Sequence, residues 1–325
     1  MIQLIITCVL SLANVASPQE SNKPVQVVCT TAMVADVVSA VAGSNATVTT
    51  LMGPGIDPHL YQATRDDLKK LAAADIIFQT GLDLEGRMAK VLRQFGTTKP
   101  VIEITADIPR DQLLVEADSK DHPDPHVWMD PTLWSSTADT VAVAMTKLHP
   151  DRISEYQVNA SRYKANGKLM ADYARMVSQS IPRDRRILIT SHDAFGYLGR
   201  SLDIQVRGIQ GLSTESEAGL KDINTLVDLV VKKNIPAVFI ESTVPSRSVK
   251  AIVEGAAARG HTVVIGGELY SDAMGPEGTY EGTYQGMLDH NITTITRALG
   301  GSVPNGGFRQ FKAESMAGSD GQSTR

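Results

Sequence analysis

The residues in this chain best suited to chemistry are its histidines and a few acids, and most of them lie on loops. The seven histidines are His59, His122, His126, His149, His192, His261 and His290. His59 closes the turn-rich stretch Gly53-Pro-Gly-Ile-Asp-Pro-His59, which follows a β-rich run. His126 lies in Asp121-His-Pro-Asp-Pro-His-Val-Trp-Met-Asp130, just before a helix start, and His192 follows the apolar run Arg186–Thr190 directly. Asp272 sits in the loop Gly267-Glu-Leu-Tyr-Ser-Asp-Ala-Met-Gly275, after another short apolar run. Two of these four come from each half of the chain, and ligands of open α/β sheets bind outside the carboxyl ends of strands.

Three neutral imidazoles and one carboxylate suit a borderline divalent ion. Zinc accepts His nitrogen and Asp oxygen in tetrahedral geometry at about 2.0–2.2 Å. Manganese leans towards carboxylates and higher coordination numbers, so the set favours zinc over manganese. Four protein donors leave no position for a water, which describes a holding site better than a hydrolase. Taken singly, each histidine is more often a surface or capping group than a ligand. His122 competes with His126 in the same loop, and Glu103, Glu241 and Glu268 are second-choice acids near strand ends. A hydrolase would recruit Glu241 or Glu268 as a poised base. Asp57 and Asp130 read as turn and cap residues.

The elements that must position these loops alternate in type. Strands are expected at 26–30, 47–52, 75–79, 101–104, 186–190, 237–241 and 262–265, and helices at 33–41, 64–74, 130–148, 216–234, 246–259 and 284–299. Thr64 with Asp67 forms a capping-type start, and Asp130-Pro131 another. Strands alternating with helices imply parallel sheets with right-handed crossovers, once in each half. Between the halves, apolar residues at Ile153, Tyr156, Ala160, Tyr163, Met170, Tyr173 and Val177 recur at helical spacing between Pro150 and Pro182. They predict one helix roughly 45 Å long, a stiff connection whose middle Gly167 must be supported by packing.

The expected fold is therefore α/β, two lobes joined by one long backbone helix, each lobe a mostly parallel sheet flanked by helices. Residues 1–17 read as a secretory signal cut near Ala16, 24–149 as the first lobe, 150–181 as the linking helix, 182–300 as the second lobe and 301–325 as a disordered tail. A length of 325 residues accommodates two cores. A net charge of −5 without a basic stripe argues against a nucleic-acid partner. Cys8 falls in the signal, and Cys29 reads as a small buried hydrophobe, which leaves no intrachain disulfide.

Five stretches, in this order, resemble the TroA/ZnuA-type family of periplasmic solute-binding proteins, the zinc and manganese receptors of ABC importers. They are Gly53-Pro-Gly-Ile-Asp-Pro-His59-Leu-Tyr, Asp124-Pro-His126-Val-Trp-Met-Asp-Pro131, Ser191-His192-Asp-Ala-Phe-Gly-Tyr197, Gly211-Leu-Ser-Thr-Glu-Ser-Glu-Ala-Gly219 and Tyr270-Ser-Asp272-Ala-Met-Gly275. They occur in the family's order, and the resemblance covers roughly residues 24–300. The resemblance implies an exported, periplasmic or otherwise extracytoplasmic monomer that holds one metal ion between its lobes and passes it to a membrane permease. It implies ligands at His59, His126, His192 and Asp272. The third position, typically Glu in manganese-type members, is His192 here and points to the zinc-capable variety. The long His-rich loop of many dedicated zinc receptors is missing, since Leu113–Asp124 holds only His122. Some surface-anchored relatives are described as adhesins, which is the alternative reading.

Overall fold

The computed structural model describes residues 23–115 and 122–320. The segment read as an export signal lies outside the described residues.

The first half opens with β1 (Val25–Thr31), α1 (Ala32–Ala42) and β2 (Ala46–Met52). It continues through α2 (Arg65–Ala73), β3 (Ile76–Gln79), α3 (Ala89–Phe95) and β4 (Val101–Glu103), and ends on α4 (Pro131–Leu148). The four strands form one parallel sheet in the order β2-β1-β3-β4. β1 is buried along nearly its whole length, as a central parallel strand covered on both faces must be. The capping box predicted at Thr64 is present: its hydroxyl accepts the Asp67 N–H at 3.2 Å and its own N–H donates to Asp67 Oδ2 at 2.9 Å. Asp130 caps α4 by accepting the N–H groups of Thr132 and Leu133, with Pro131 at the first helical position.

The second half repeats the plan with β5 (Ile187–His192), α6 (Gly196–Leu202), β6 (Gln205–Gln210), α7 (Leu220–Lys233), β7 (Ala237–Glu241), α8 (Arg247–Ala257), β8 (Val264–Leu269) and α9 (Tyr284–Ala298). β5 pairs with β6 and β7 with β8, all parallel, and β5 lies against β7. The second half thus holds two two-stranded parallel sheets side by side, where the first half has one four-stranded sheet. α6 and β6 fell outside the predicted elements. α6 is seven residues long and contains two glycines, while β6 is half-exposed and carries few apolar residues. The helix expected from Ser216 starts only at Leu220, with Gly219 as its N-cap, so Gly211–Gly219 is a loop.

Between the halves runs α5 (Ile153–Ser178), 26 residues and so about 39 Å long. It packs on α1 and α4 from the first half and on α6 and α9 from the second. The largest core cluster follows it through both halves, with Tyr156, Ala160, Met170 and Tyr173 buried. Gly167 lets α5 approach α4 closely: a Cβ there would strike the Ser135 side chain and come within 2.7 Å of the Pro131 carbonyl. Cys29 is a fully buried member of the same core, and burial pushes its thiol far above the ordinary range.

The expectation of a disordered 301–325 tail is overturned over Gly307–Asp320, which form α10. Phe308 is buried, and the rings of Phe308 and Phe311 each lie 5.5 Å from that of Tyr173 on α5. Two aromatic side chains anchor a segment whose average composition is polar, and composition alone does not register such an anchor.

Candidate metal centre

His192 ends a strand, His59 and Asp272 lie on the loops that follow β2 and β8, and His126 lies near the end of the long connection from β4 to α4. The loop after β2 turns at Gly53–Ile56, helped by Gly55 at φ +73°, and brings His59 inward. The Asp57 carboxylate accepts the His59 N–H at 2.9 Å. Asp124 does the same for His126, also at 2.9 Å, and its Oδ1 faces the ring Nδ1 at 2.7 Å. His192 is the last residue of β5. Glu241, the last of β7, meets both its N–H at 2.8 Å and its Nδ1 at 2.5 Å. The loop after β8 is braced by Asn291, whose amide makes hydrogen bonds to the N–H and carbonyl of Tyr270 at 2.9 and 2.7 Å. One residue further on, the Ser271 carbonyl accepts from the indole of Trp128, which joins the His126 and Asp272 loops across the lobes.

These loops converge on one point. One nitrogen or oxygen from each of His59, His126, His192 and Asp272 lies within 4.8 Å of the other three. His59 Nε2 is 3.3 Å from His126 Nε2. The Asp272 carboxylate is 3.4 Å from His126 Nε2, 3.2 Å from His192 Nε2 and 3.9 Å from His59 Nε2. All four residues are buried. His192 Nε2 and both Asp272 oxygens make no well-formed hydrogen bond and instead crowd together, Asp272 lying 3.2 Å from His192 Nε2 and 3.4 Å from His126 Nε2, an arrangement of buried polar atoms that a shared cation would satisfy. The three imidazoles turn Nε2 inward, and Asp124 and Glu241 hold the outer nitrogens of two of them. That is the usual way a carboxylate orients a metal-binding histidine and sets its tautomer.

The electrostatics suit a cation. Burial pulls His59 down to about 4, only partly opposed by Asp272, so its ring is neutral at ordinary pH. Burial acts the same way on His126, but Asp124 and Asp272 outweigh it and hold this ring up at about 9. His192 is likewise held well above the usual histidine range, burial being outweighed by Glu241 and Asp272. Asp272 is kept far below the carboxylate range: burial opposes this, and His192 and His126 override it. Without a cation, protons on His126 and His192 therefore balance the buried carboxylates.

The competing candidates lie elsewhere. His122 is exposed and pairs with Asp83 at 3.1 Å on the rim. His261 and His290 face the carbonyls of Ile235 and Glu268, both at 2.9 Å, and His149 closes α4. Glu103 pairs with Gln79, and Glu268 is exposed. Glu241, weighed above as a ligand or base, instead grips His192. The sequence did carry one signal for the supporting acids: the tripeptide Asp-Pro-His occurs twice, at 57–59 and 124–126.

In front of His59 opens a cavity of about 570 Å³, lined by both halves. Its rim includes a left-handed run, Gly81, Leu82 and Asp83, at φ +89°, +55° and +62°. Such backbone is strained for Leu and Asp. The buried Glu85 holds it by accepting the N–H groups of Thr80 at 2.7 Å and Gly81 at 3.3 Å.

Residues 27–298 match the family described as ZnuA, zinc-uptake complex component A, periplasmic. The chain is 44% identical over 281 residues to the manganese-binding lipoprotein MntA of Bacillus subtilis (strain 168), covering 86% of this chain and 92% of that one. It is 43% identical over 278 residues to the zinc-binding protein TroA of Treponema pallidum (strain Nichols), covering 86% and 89%. A solved structure of the periplasmic zinc-binding protein TroA from Treponema pallidum superposes with a TM-score of 0.82 at 42% identity, covering 85% of this chain and 99% of that one. The Fe(III)-bound structure of YtgA from Chlamydia trachomatis superposes at 0.76 with 26% identity, covering 86% and 99%.

Proposed function

This chain belongs to the ZnuA family of periplasmic zinc-uptake components, and from that premise we propose that it captures one divalent transition-metal ion outside the cytoplasmic membrane and hands it to an ABC permease. His59, His126, His192 and Asp272 are the proposed ligands. The observation that carries the reading is the convergence of these four buried side chains with three of their donor atoms left without a well-formed hydrogen bond.

The donor set of three nitrogens and one carboxylate favours zinc over manganese. The named relatives include a manganese-binding and a zinc-binding protein at nearly equal identity, so kinship does not choose between the metals, and the proposal of zinc rests on the donor chemistry. We read the chain as a binding protein rather than an enzyme. Four protein donors fill a tetrahedron, and Glu241, the acid best placed to serve as a base, is committed to His192.

Metal analysis of the protein taken from its native compartment, followed by equilibrium competition between Zn2+ and Mn2+, tests this directly. One equivalent of tightly held metal, with Zn2+ winning, is the expected result. Protein that retains no divalent metal, or His192→Ala with unimpaired binding, refutes it.

A further inference from the structure

We infer that the loop Gly211–Gly219 is the gate through which the ion passes, and that Asp57 is the positioning residue coupling this gate to the ligand His59. The inference rests on the metal-receptor reading above and adds a route to it.

The seam between the lobes is built differently on its two sides. Behind the site it is stitched by buried groups: the Trp128 indole donates to the Ser271 carbonyl and the Tyr284 hydroxyl to the Trp128 carbonyl, both at 2.8 Å. α5 spans both lobes on the same core, and Asp36 of the first lobe accepts the Tyr284 N–H at 3.1 Å. Hinging the lobes apart would pull Trp128 and Tyr284 into water. In front, the described contacts are fewer and nearer the surface. Thr214 donates to Asp57 Oδ2 at 2.6 Å, and Arg87 meets Glu215 at 3.1 Å with both side chains substantially exposed.

His59 marks the open side. It keeps 6% of its surface exposed, whereas His126 and His192 have none. The cavity before it is walled by Leu212, Ser213 and Glu215 of the loop. The loop has no regular structure and is tied to its own half by Gln210 to the Ser216 carbonyl at 3.0 Å, by the Gly219 N–H to Asp222 at 3.2 Å and by Arg247 of α8, which pairs with Glu217. Across the seam it is held by Thr214 and Glu215. Asp57 has one oxygen on each party: Oδ1 accepts from the His59 N–H and Oδ2 from the Thr214 hydroxyl. Pro58 between Asp57 and His59 stiffens the link, because its φ is locked.

The test is stopped-flow release of Zn2+ from the loaded full-length protein into excess chelator, with equilibrium affinity and melting midpoint measured alongside. Thr214→Val should release Zn2+ roughly fivefold faster, the rate equivalent of one net hydrogen bond, and Thr214→Ser should restore the parental rate. Arg87→Glu should accelerate release by about twofold, as for an exposed pair, and the swap Arg87→Glu/Glu215→Arg should restore it. Parental release rates in both Thr214→Val and Arg87→Glu, with Zn2+ still bound tightly, overturn the gate alone. A parent protein that does not retain Zn2+ at equilibrium overturns the receptor reading and the gate with it.

Discussion

Glu241 holds His192 at two points, accepting its backbone N–H with one oxygen and facing its ring Nδ1 with the other, at 2.8 and 2.5 Å. Both groups are buried, at the ends of neighbouring strands β7 and β5. The contact leaves His192 Nε2 as the atom that points at the other three candidate ligands.

Glu241→Gln keeps the shape of this contact and removes its charge. Loss of such an outer carboxylate is expected to weaken metal affinity by about 10- to 100-fold. Titration calorimetry with Zn2+ checks this, with circular dichroism confirming the fold. Unchanged affinity would mean that Glu241 serves only the strand seam.

Metal binding should expel protons. In the cargo-free site His126, raised to about 9, and His192, held well above the usual histidine range by Glu241 and Asp272 against burial, carry protons at pH 7.5, while His59 at about 4 is already neutral. Binding at that pH should therefore release between one and two protons, so affinity rises with pH and is lost on acidification. Calorimetry in buffers of different ionisation enthalpy counts them. A count of zero contradicts the charge balance described above.

The stability of the chelated protein should follow the same groups. A histidine raised from 6.5 to about 9 stabilises the fold fully below 6.5, and that contribution disappears as pH climbs through 9. His59, lowered to about 4, acts oppositely, and its cost grows as pH falls from 6.5 towards 4. Melting midpoints of chelated protein should decline on both sides of about pH 6.5, and saturating Zn2+ should flatten the alkaline limb. A midpoint that keeps rising from pH 7 to 9 would rule out protonated His126.

Gly167→Ala sets propensity against packing. Alanine favours an isolated helix by about 1 kcal/mol. Here its Cβ would press on Ser135 and on the backbone carbonyl of Pro131 at 2.7 Å, and the backbone cannot step aside cheaply. The net effect should be destabilisation by about 1–3 kcal/mol, read from urea unfolding. A stabilised variant would show that α4 and α5 can separate.

Phe308→Ala should release α10. The ring is buried beside Tyr173, and losing a core aromatic costs about 3 kcal/mol or more. Limited trypsin digestion should then cut at Arg309 or Lys312 well before the rest of the chain. Equal resistance to the parent protein would mean that Phe311 and the Asp289 contacts to the Phe308 N–H suffice.

Much of this was legible in the residues themselves, because the relevant signals are local. Thr64 with Asp67 and Asp130 with Pro131 mark helix starts through contacts no more than three residues apart. The long apolar stripe from Tyr156 to Val177 marks α5. His59, His192 and Asp272 stand out because each lies at or just beyond a strand end, and His126 because it leads into the capped start of α4. Signals diluted over a few residues were lost: α6 is too short, β6 too polar, and α10 depends on two aromatic rings within a polar tail.

The doubled Asp-Pro-His tripeptide shows where sequence stops and tertiary structure takes over. In both copies the aspartate accepts the histidine N–H at 2.9 Å, a local turn that the tripeptide dictates by itself. What else each aspartate touches was decided by the fold. Asp124 turns to its own histidine ring, while Asp57 reaches Thr214, 157 residues away in the other lobe. Glu241 meets His192 across 49 residues because parallel strands bring their carboxyl ends side by side. Short-range hydrogen bonds are set by neighbours along the chain, whereas the partners of a side chain that crosses a seam exist only once both lobes have packed on α5.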